Sequence, residues 1–371
     1  MQISPQQLIE ANQLPAAMRG FLLTRSARDR NNHIEVCLWL KTPAGPVQLI
    51  VSNERAVFFV EQTAVQQAES VLNQQAIHLD ETKPVALKAF NQANVVALYF
   101  STLREFYQAR EALKQKGIKC YEDDIRPDDR FLMERFITAD ITFSGQQANF
   151  PLTDSHQYRR FEQVKCKRVD KALQKDIVLT TVSLDIECSM SGELYSIGLY
   201  SEHCQQVLMI ANQEEISREQ EKTIDIDIVW QANEKQLLTS LLLWFSEHDP
   251  DIIIGWNVIN FDFDLLQKRY DLHGVKFTLG RDGSTPYWRK NKASEQQFIE
   301  IAGRVVIDGI DLLKTTTYNF SSFSLDNVAN TLLGIGKKVI DVNNRVQEIT
   351  DNFHQDKTAL ATYNLEDCRL V

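Results

Sequence analysis

The stretch Ile177-Val178-Leu179-Thr180-Thr181-Val182-Ser183-Leu184-Asp185-Ile186-Glu187 is apolar for most of its length and closes on two carboxylates. Its β-branched and aliphatic residues predict a core strand. Side chains two apart on a strand share a face, so Asp185 and Glu187 project together. Two acids side by side on a core strand repel each other and are poorly solvated. A divalent cation that prefers hard oxygen ligands, Mg²⁺ or Mn²⁺, resolves that conflict. The spacing alone is not diagnostic, because Asp225/Asp227, Asp249/Asp251 and Asp262/Asp264 repeat it. Any one such pair is more often solvated surface than a metal site.

Downstream, Leu194–Tyr200 predicts a second strand, with a hairpin turn around Ser191-Gly192. Asn233 is placed to cap a helix running to His248, whose Leu237, Leu238, Leu241, Leu242, Trp244 and Phe245 supply a buried face. A short strand at Ile252–Ile254, a helix from about Asp262 to Gly274 and a strand at Val305–Asp308 follow. Ser324 opens a helix that ends near Gly334, and a last helix starts at about Lys357. Upstream, His33–Leu40 alternates like a half-buried strand, and Val47–Val51, Ala56–Val60 and Val95–Phe100 continue a sheet. Ser101 is placed to cap a helix to Gly117, and Asp128–Ile137 predicts another. The polar, basic segment Pro151–Lys175 shows no periodicity, and the domain junction is expected near its end.

The chain has 371 residues, enough for two or three domains. No run reaches the roughly 18 apolar residues that span a bilayer, and the first twenty residues lack an apolar signal core. A cytoplasmic, nucleoid-associated protein without a membrane partner is expected. Six scattered cysteines form no C-x-x-C pair, which argues against a zinc site or a disulfide framework. The net charge of −10 does not advertise nucleic-acid binding. It does not exclude it either, since a phosphodiester hydrolase concentrates carboxylates around metal ions and needs only a local basic groove. Arg159–Lys175 carries seven basic residues against two acids, and Glu214–Asp227 six acids against two bases.

Two further features carry chemistry. In Gly255-Trp256-Asn257-Val258-Ile259-Asn260-Phe261-Asp262, Asp262 lies near a helix N-terminus, where negative charge is favoured; alone it reads as readily as a cap. In Tyr363-Asn364-Leu365-Glu366-Asp367, Tyr363 and Asp367 share one helix face, a spacing that core packing also produces. The three patterns in order, D-x-E on a strand, N-x-x-x-F-D, then Y-x-x-x-D on a late helix, resemble the three exonuclease motifs of the family B DNA polymerases, members of the DEDD superfamily. The resemblance extends to Tyr121–Pro127, Arg130–Ile137, Pro250–Asn257, Gly303–Ile310, Asn319–Leu325 and Ala359–Leu365, where the chain is similar to the bacterial polymerase II branch of that family.

That resemblance covers roughly Phe21 to Val371. It implies an α+β N-terminal domain at 21–175, after an extension at 1–20, followed by an α/β ribonuclease-H-like (DEDD) exonuclease domain at 176–371 with a mixed sheet flanked by helices. It implies 3′→5′ proofreading hydrolysis of single-stranded or mismatched DNA with two Mg²⁺ (or Mn²⁺) ions. Asp185, Glu187 and Asp367 would hold one ion, Asp185 and Asp262 would serve the second, and Tyr363 would orient the attacking water. Asn257 and Phe261 are candidates for contact with the strand end, although Phe261 reads first as core. Arg281, Arg289, Lys290 and Lys292 fall where the family has a DNA-contacting hairpin, or form a solvated loop. Asp308 and Asp311 match no motif and read as structural. The family's polymerase motifs, a Ser-Leu-Tyr-Pro-Ser stretch and a Tyr-Gly-Asp-Thr-Asp segment, do not occur. The chain therefore reads as a fragment. Its expected partners are the single-stranded 3′ end, primer–template DNA, the polymerase domain of the full-length enzyme and, through regions outside these residues, a sliding clamp. Two other readings stay open: a catalytically silent DNA- or partner-binding scaffold, and a stand-alone DEDD exoribonuclease.

Overall fold

The structure, a computed structural model, describes residues 17–148, 158–169, 177–219, 226–290, 296–335 and 345–371. They fall into two compact units, one running up to Ile177 and the other from Val178 to Val371. The expected junction at 175/176 lies outside the described residues.

The first unit is built on two sheets rather than the one expected from its strands. Strands β1 (Met18–Arg30), β2 (His33–Thr42) and β3 (Gly45–Glu54) pair as an antiparallel meander. The later strands β8 (Asp140–Gln147) and β9 (Arg159–Arg168) close it into a five-stranded barrel, in the order β1-β2-β3-β9-β8. The basic segment, in which no periodicity was expected, thus supplies a barrel strand. Its Phe161 packs into the core while most of its cations face outward. Between these strands lies a split βαβ unit: β4 (Ala56–Glu61), helix α1 (Val65–Gln74), β5 (Glu81–Lys88), β6 (Asn94–Phe100), helix α2 (Leu103–Gln115) and β7 (Cys120–Tyr121), with sheet order β5-β6-β4-β7. Thr102, not Ser101, caps α2, its hydroxyl accepting from the Glu105 N–H at 3.1 Å. Helix α3 (Pro127–Glu134) starts at proline, whose missing N–H is no loss at a first turn, and stops short of Ile137.

The second unit carries a six-stranded mixed sheet of order β13-β12-β11-β10-β14-β17. Its strands are β10 (Thr181–Cys188), β11 (Leu194–Tyr200), β12 (Gln205–Ile210), β13 (Asp227–Gln231), β14 (Ile252–Gly255) and β17 (Val305–Asp308). A separate hairpin pairs β15 (Tyr287–Lys290) with β16 (Gln297–Glu300). Helix α4 (Gln213–Glu219) precedes β13, α5 (Glu234–His248) follows it, and α6 (Asp264–Leu272) follows β14. Helices α7 (Gly309–Thr315), α8 (Leu325–Leu333), α9 (Arg345–Gln355) and α10 (Lys357–Leu370) complete the chain. Asn233 caps α5 by accepting from Gln236 N–H at 3.0 Å, and Ser324 and Gly334 bound α8, each as its local chemistry predicts.

Alternation along β10 sorts its two faces. Val182, Leu184 and Ile186 join the core formed with Leu237, Leu238 and Leu241 of α5 and Leu266 and Tyr270 of α6. Asp185 and Glu187 lie on the opposite face, towards α10. A second core there joins Val207 and Met209 of β12 to Leu360, Ala361 and Leu365 of α10. No described helix is long and apolar enough to cross a membrane.

Candidate active site

Three elements converge on the end of β10. Strand β14 runs parallel to β10, with Ser183 opposite Ile254, so both chains leave the sheet at the same edge. Ligands of α/β sheets gather at such carboxyl ends. The chain leaving β14 makes a single π-type turn over Ile259–Phe263, with Phe263 N–H donating to Val258 carbonyl at 2.8 Å. The helix expected from Asp262 therefore starts earlier and wider, as π-turns often do at functional sites. Asp308 holds that turn, its Oδ2 accepting from Ile259 N–H at 3.1 Å while Oδ1 caps α7 through Ile310 N–H at 3.0 Å. Its role is structural.

The turn delivers Asp262, 2% exposed, to the backbone between the two strand acids: its Oδ1 accepts from Ile186 N–H at 3.0 Å. From the other face α10 delivers Asp367, also 2% exposed. Helix α10 is fixed at its start by Asp356, which caps Ala359 N–H at 2.9 Å, and by buried Glu219 of α4, which accepts from Thr358 N–H at 3.2 Å. The result is a group of carboxylates. Ligand oxygens of Asp185, Glu187 and Asp367 lie within 4.8 Å of one another. Tyr363 sits one turn before Asp367 on the same helix and is half-buried.

The electrostatics follow from that crowding. Burial, then the charges of Asp185 and Glu187, push the Asp262 carboxyl well above its ordinary range, against the hydrogen bond from Ile186 N–H. The neighbouring thiols register the same negative field. Cys188 is pushed up to about 11 by burial and then by Glu187, Asp262 and Asp185, and Cys368 also rises, for burial and the charges of Asp185, Asp262 and Asp367. A site of hard oxygen donors that resist sharing negative charge fits a divalent cation.

Other candidates land differently. Phe261, read first as core, is 47% exposed beside buried Asp262, because the wide turn points it outward. Asn257 takes a left-handed φ of 61° where the chain leaves β14. Arg281 is neither solvated nor on the hairpin. It is buried and braces Asp251 Oδ1 at 2.7 Å, Asp249 Oδ1 at 2.8 Å and the Gly303 carbonyl at 2.8 Å. Arg289 and Lys290 are exposed on β15, and Lys292 lies outside the described residues.

Sequence reasoning missed Asn364 and Ser196. Buried Asn364 on α10 donates from Nδ2 to Asp185 Oδ2 at 2.7 Å and accepts at Oδ1 from Ser196 Oγ at 2.9 Å. Asn364 sits inside the Y-x-x-x-D motif, but nothing local marks its partners.

A family model described as DNA polymerase family B, exonuclease domain, matches residues 118–328, more than half of the chain. The chain belongs to the family B DNA polymerases. The match contains Asp185, Glu187 and Asp262 and ends before α10. A second model, DNA polymerase II, N-terminal, matches residues 20–54. The chain is 38% identical to the DNA polymerase II of Escherichia coli (strain K12) over 358 residues, 96% of this chain and 43% of that protein. It is 30% identical to a DNA polymerase of Thermococcus sp. (strain 9oN-7) over 214 residues, 55% of this chain and 26% of that one. The structure of the family B DNA polymerase from the hyperthermophilic archaeon Pyrobaculum calidifontis matches with a TM-score of 0.75 at 18% identity, covering 95% of this chain and 44% of that one. The chain spans less than half the length of these relatives. It carries the N-terminal and exonuclease domains of a family B polymerase of the DNA polymerase II type.

Proposed function

We propose that this chain is the 3′→5′ proofreading exonuclease portion of its polymerase, hydrolysing the 3′-terminal phosphodiester of single-stranded or mismatched DNA with two Mg²⁺ or Mn²⁺ ions. The observation that carries the reading is the three-carboxylate group from β10 and α10, with ligand oxygens within 4.8 Å, backed by buried Asp262. In this reading Asp185, Glu187 and Asp367 would hold one ion, and Asp185 with Asp262 would serve the other. Bound there, the ions would lower the pKa of water and offset charge on the attacking and leaving oxygens of an in-line displacement.

The protein's own groups do the positioning. The Tyr363 hydroxyl, one turn from Asp367, orients the attacking water by a hydrogen bond. Phe261, exposed beside Asp262, offers a ring on which a terminal base stacks, and Asn257 faces the strand end from the same segment. The products are nucleoside 5′-monophosphates and a DNA strand shortened at its 3′ end. Membership in a DNA polymerase family favours DNA over RNA as substrate. Primer–template DNA and the polymerase domain of the longer enzyme are the partners.

The test is digestion of a 5′-labelled single-stranded oligonucleotide with Mg²⁺, resolved on a gel, beside an RNA of the same sequence. Shortening from the 3′ end is expected on DNA. Asp185→Ala abolishes it, and Tyr363→Phe slows it about 10²-fold, the scale of a positioned proton-transfer group. Equal rates in Asp185→Ala and the parent would refute the assignment.

A further inference from the structure

We propose that Asn364 is a positioning residue for the exonuclease site, and that with Ser196 it locks the Asp185 carboxylate in the orientation metal binding requires. The inference rests on the metal-dependent reading above and adds two residues to it. Asn364 is 0% exposed, and so is Ser196. A buried amide is costly unless both of its ends are hydrogen-bonded, and both are. The direction of the chain is set by chemistry. A carboxylate can only accept, so the amide end facing Asp185 Oδ2 at 2.7 Å is the NH₂ group. That leaves Asn364 Oδ1 to accept from the Ser196 hydroxyl at 2.9 Å.

The sheet register builds the seat for this side chain. Gly198 lies opposite Asp185 across the β10–β11 ladder, and Ser196 lies opposite Glu187. A Cβ at Gly198 would stand 3.0 Å from Asn364 Cγ and 3.1 Å from its Nδ2. The glycine therefore provides the gap and the serine two residues before it provides the anchor. A terminal carboxylate torsion is broad and rotates at little cost, whereas a hydrogen bond to a charged acceptor is about twice as strong as a neutral one and directional. The same tether fixes the rotation of α10, on which Tyr363 and Asp367 flank Asn364.

Groups that hydrogen-bond a metal ligand typically change metal affinity by about 10–100-fold when removed. Calorimetric Mn²⁺ titration of the 371-residue protein tests the proposal with the parent, Asn364→Leu, Ser196→Ala and the double variant. Asn364→Leu is expected to weaken Mn²⁺ binding about 10–100-fold and to lower kcat on single-stranded DNA, with KM for DNA held within about twofold. Ser196→Ala, which removes one neutral hydrogen bond, is expected to weaken Mn²⁺ binding about 2–12-fold. The double variant is expected to bind no more weakly than Asn364→Leu, because a relay is broken once. Unchanged Mn²⁺ affinity in Asn364→Leu, additive losses, or a change confined to KM each overturns the proposal. Should Asn364→Leu fail to fold, Ser196→Ala decides alone, since it deletes a single oxygen atom. If the parent binds no Mn²⁺, or Asp185→Asn binds it as tightly as the parent, the exonuclease reading itself falls. Parental binding that survives in Asn364→Leu sinks only the role given to Asn364.

Discussion

Asparagine at position 367 would keep the shape of the aspartate and remove its charge. Asp367 is 2% exposed and lies in the last turn of α10, where the helix dipole disfavours an anion. Its ligand oxygen is within 4.8 Å of those of Asp185 and Glu187. At an effective dielectric constant of about 20, two full charges at that separation repel by about 3.5 kcal/mol. The oxygens lie no farther apart than that, so the figure is a floor for a fully charged pair; protons shared within the acidic group cut it, leaving an expected gain of about 1–2 kcal/mol for Asp367→Asn without metal. For a unit of this size that is a rise in Tm of about 2–8 °C. Metal reverses the order. At a concentration a hundredfold above Kd, an ion that binds only the folded protein adds about 2.7 kcal/mol to the parent, while the variant has lost a ligand and gains little. Scanning calorimetry in EDTA and in excess Mg²⁺, following the transition that Mg²⁺ moves in the parent, reads both effects. The variant should melt higher in EDTA and lower in Mg²⁺. A variant less stable in EDTA that gains as much from Mg²⁺ as the parent would mean that Asp367 neither strains the fold nor holds the ion.

Two further perturbations probe the frame around the site. Arg281→Met leaves Asp251, 0% exposed, without its buried cation, and should cost about 3–5 kcal/mol in a denaturant titration; a loss below about 1 kcal/mol would contradict the bracing role. Asp262 is raised by burial first and then by Asp185 and Glu187, so without metal its charge destabilises the fold above the raised value and is relieved as pH falls towards the ordinary 3.8. The Tm advantage of Asp262→Asn over the parent in EDTA should close on acidification towards 3.8 and widen as pH rises from there, and a gap that does not change with pH would rule this out.

What the sequence disclosed depended on how far apart the partners lie. The Asn233 cap of α5, the Ser324 and Gly334 ends of α8 and the strand β11 are set by neighbours a few residues away, and each was readable. The barrel was not. Strand β9 pairs in parallel with β3, with Arg159 opposite Val47, and no local signal marks a partner so distant. Its exposed cations also hide the one buried residue of the strand, Phe161. Arg281 failed for the same reason: in sequence it stands in a polar loop, and only the folded chain shows acids 249 and 251 closing on it.

The repeated D-x-D and D-x-E pairs show what separates a candidate cation site from a solvated or paired one. Asp249 and Asp251 are neutralised by Arg281, with Arg304 also against Asp249. Asp264 has Lys268 at 2.6 Å one turn along its own helix, and Asp227 is exposed and accepts from Gln206 at 2.5 Å. Asp185 and Glu187 instead meet a third carboxylate from another element, and a fourth bonds the backbone between them. Spacing made all four pairs look alike, although two acids at that interval share a face only on a strand; on the turn and helix after β14 the pair splits, Asp262 going to the acidic group and Asp264 to Lys268. The charge of whatever the fold brings opposite the acids decides between a salt bridge and a candidate cation site, and here α10 brings Asp367 and the turn after β14 brings Asp262.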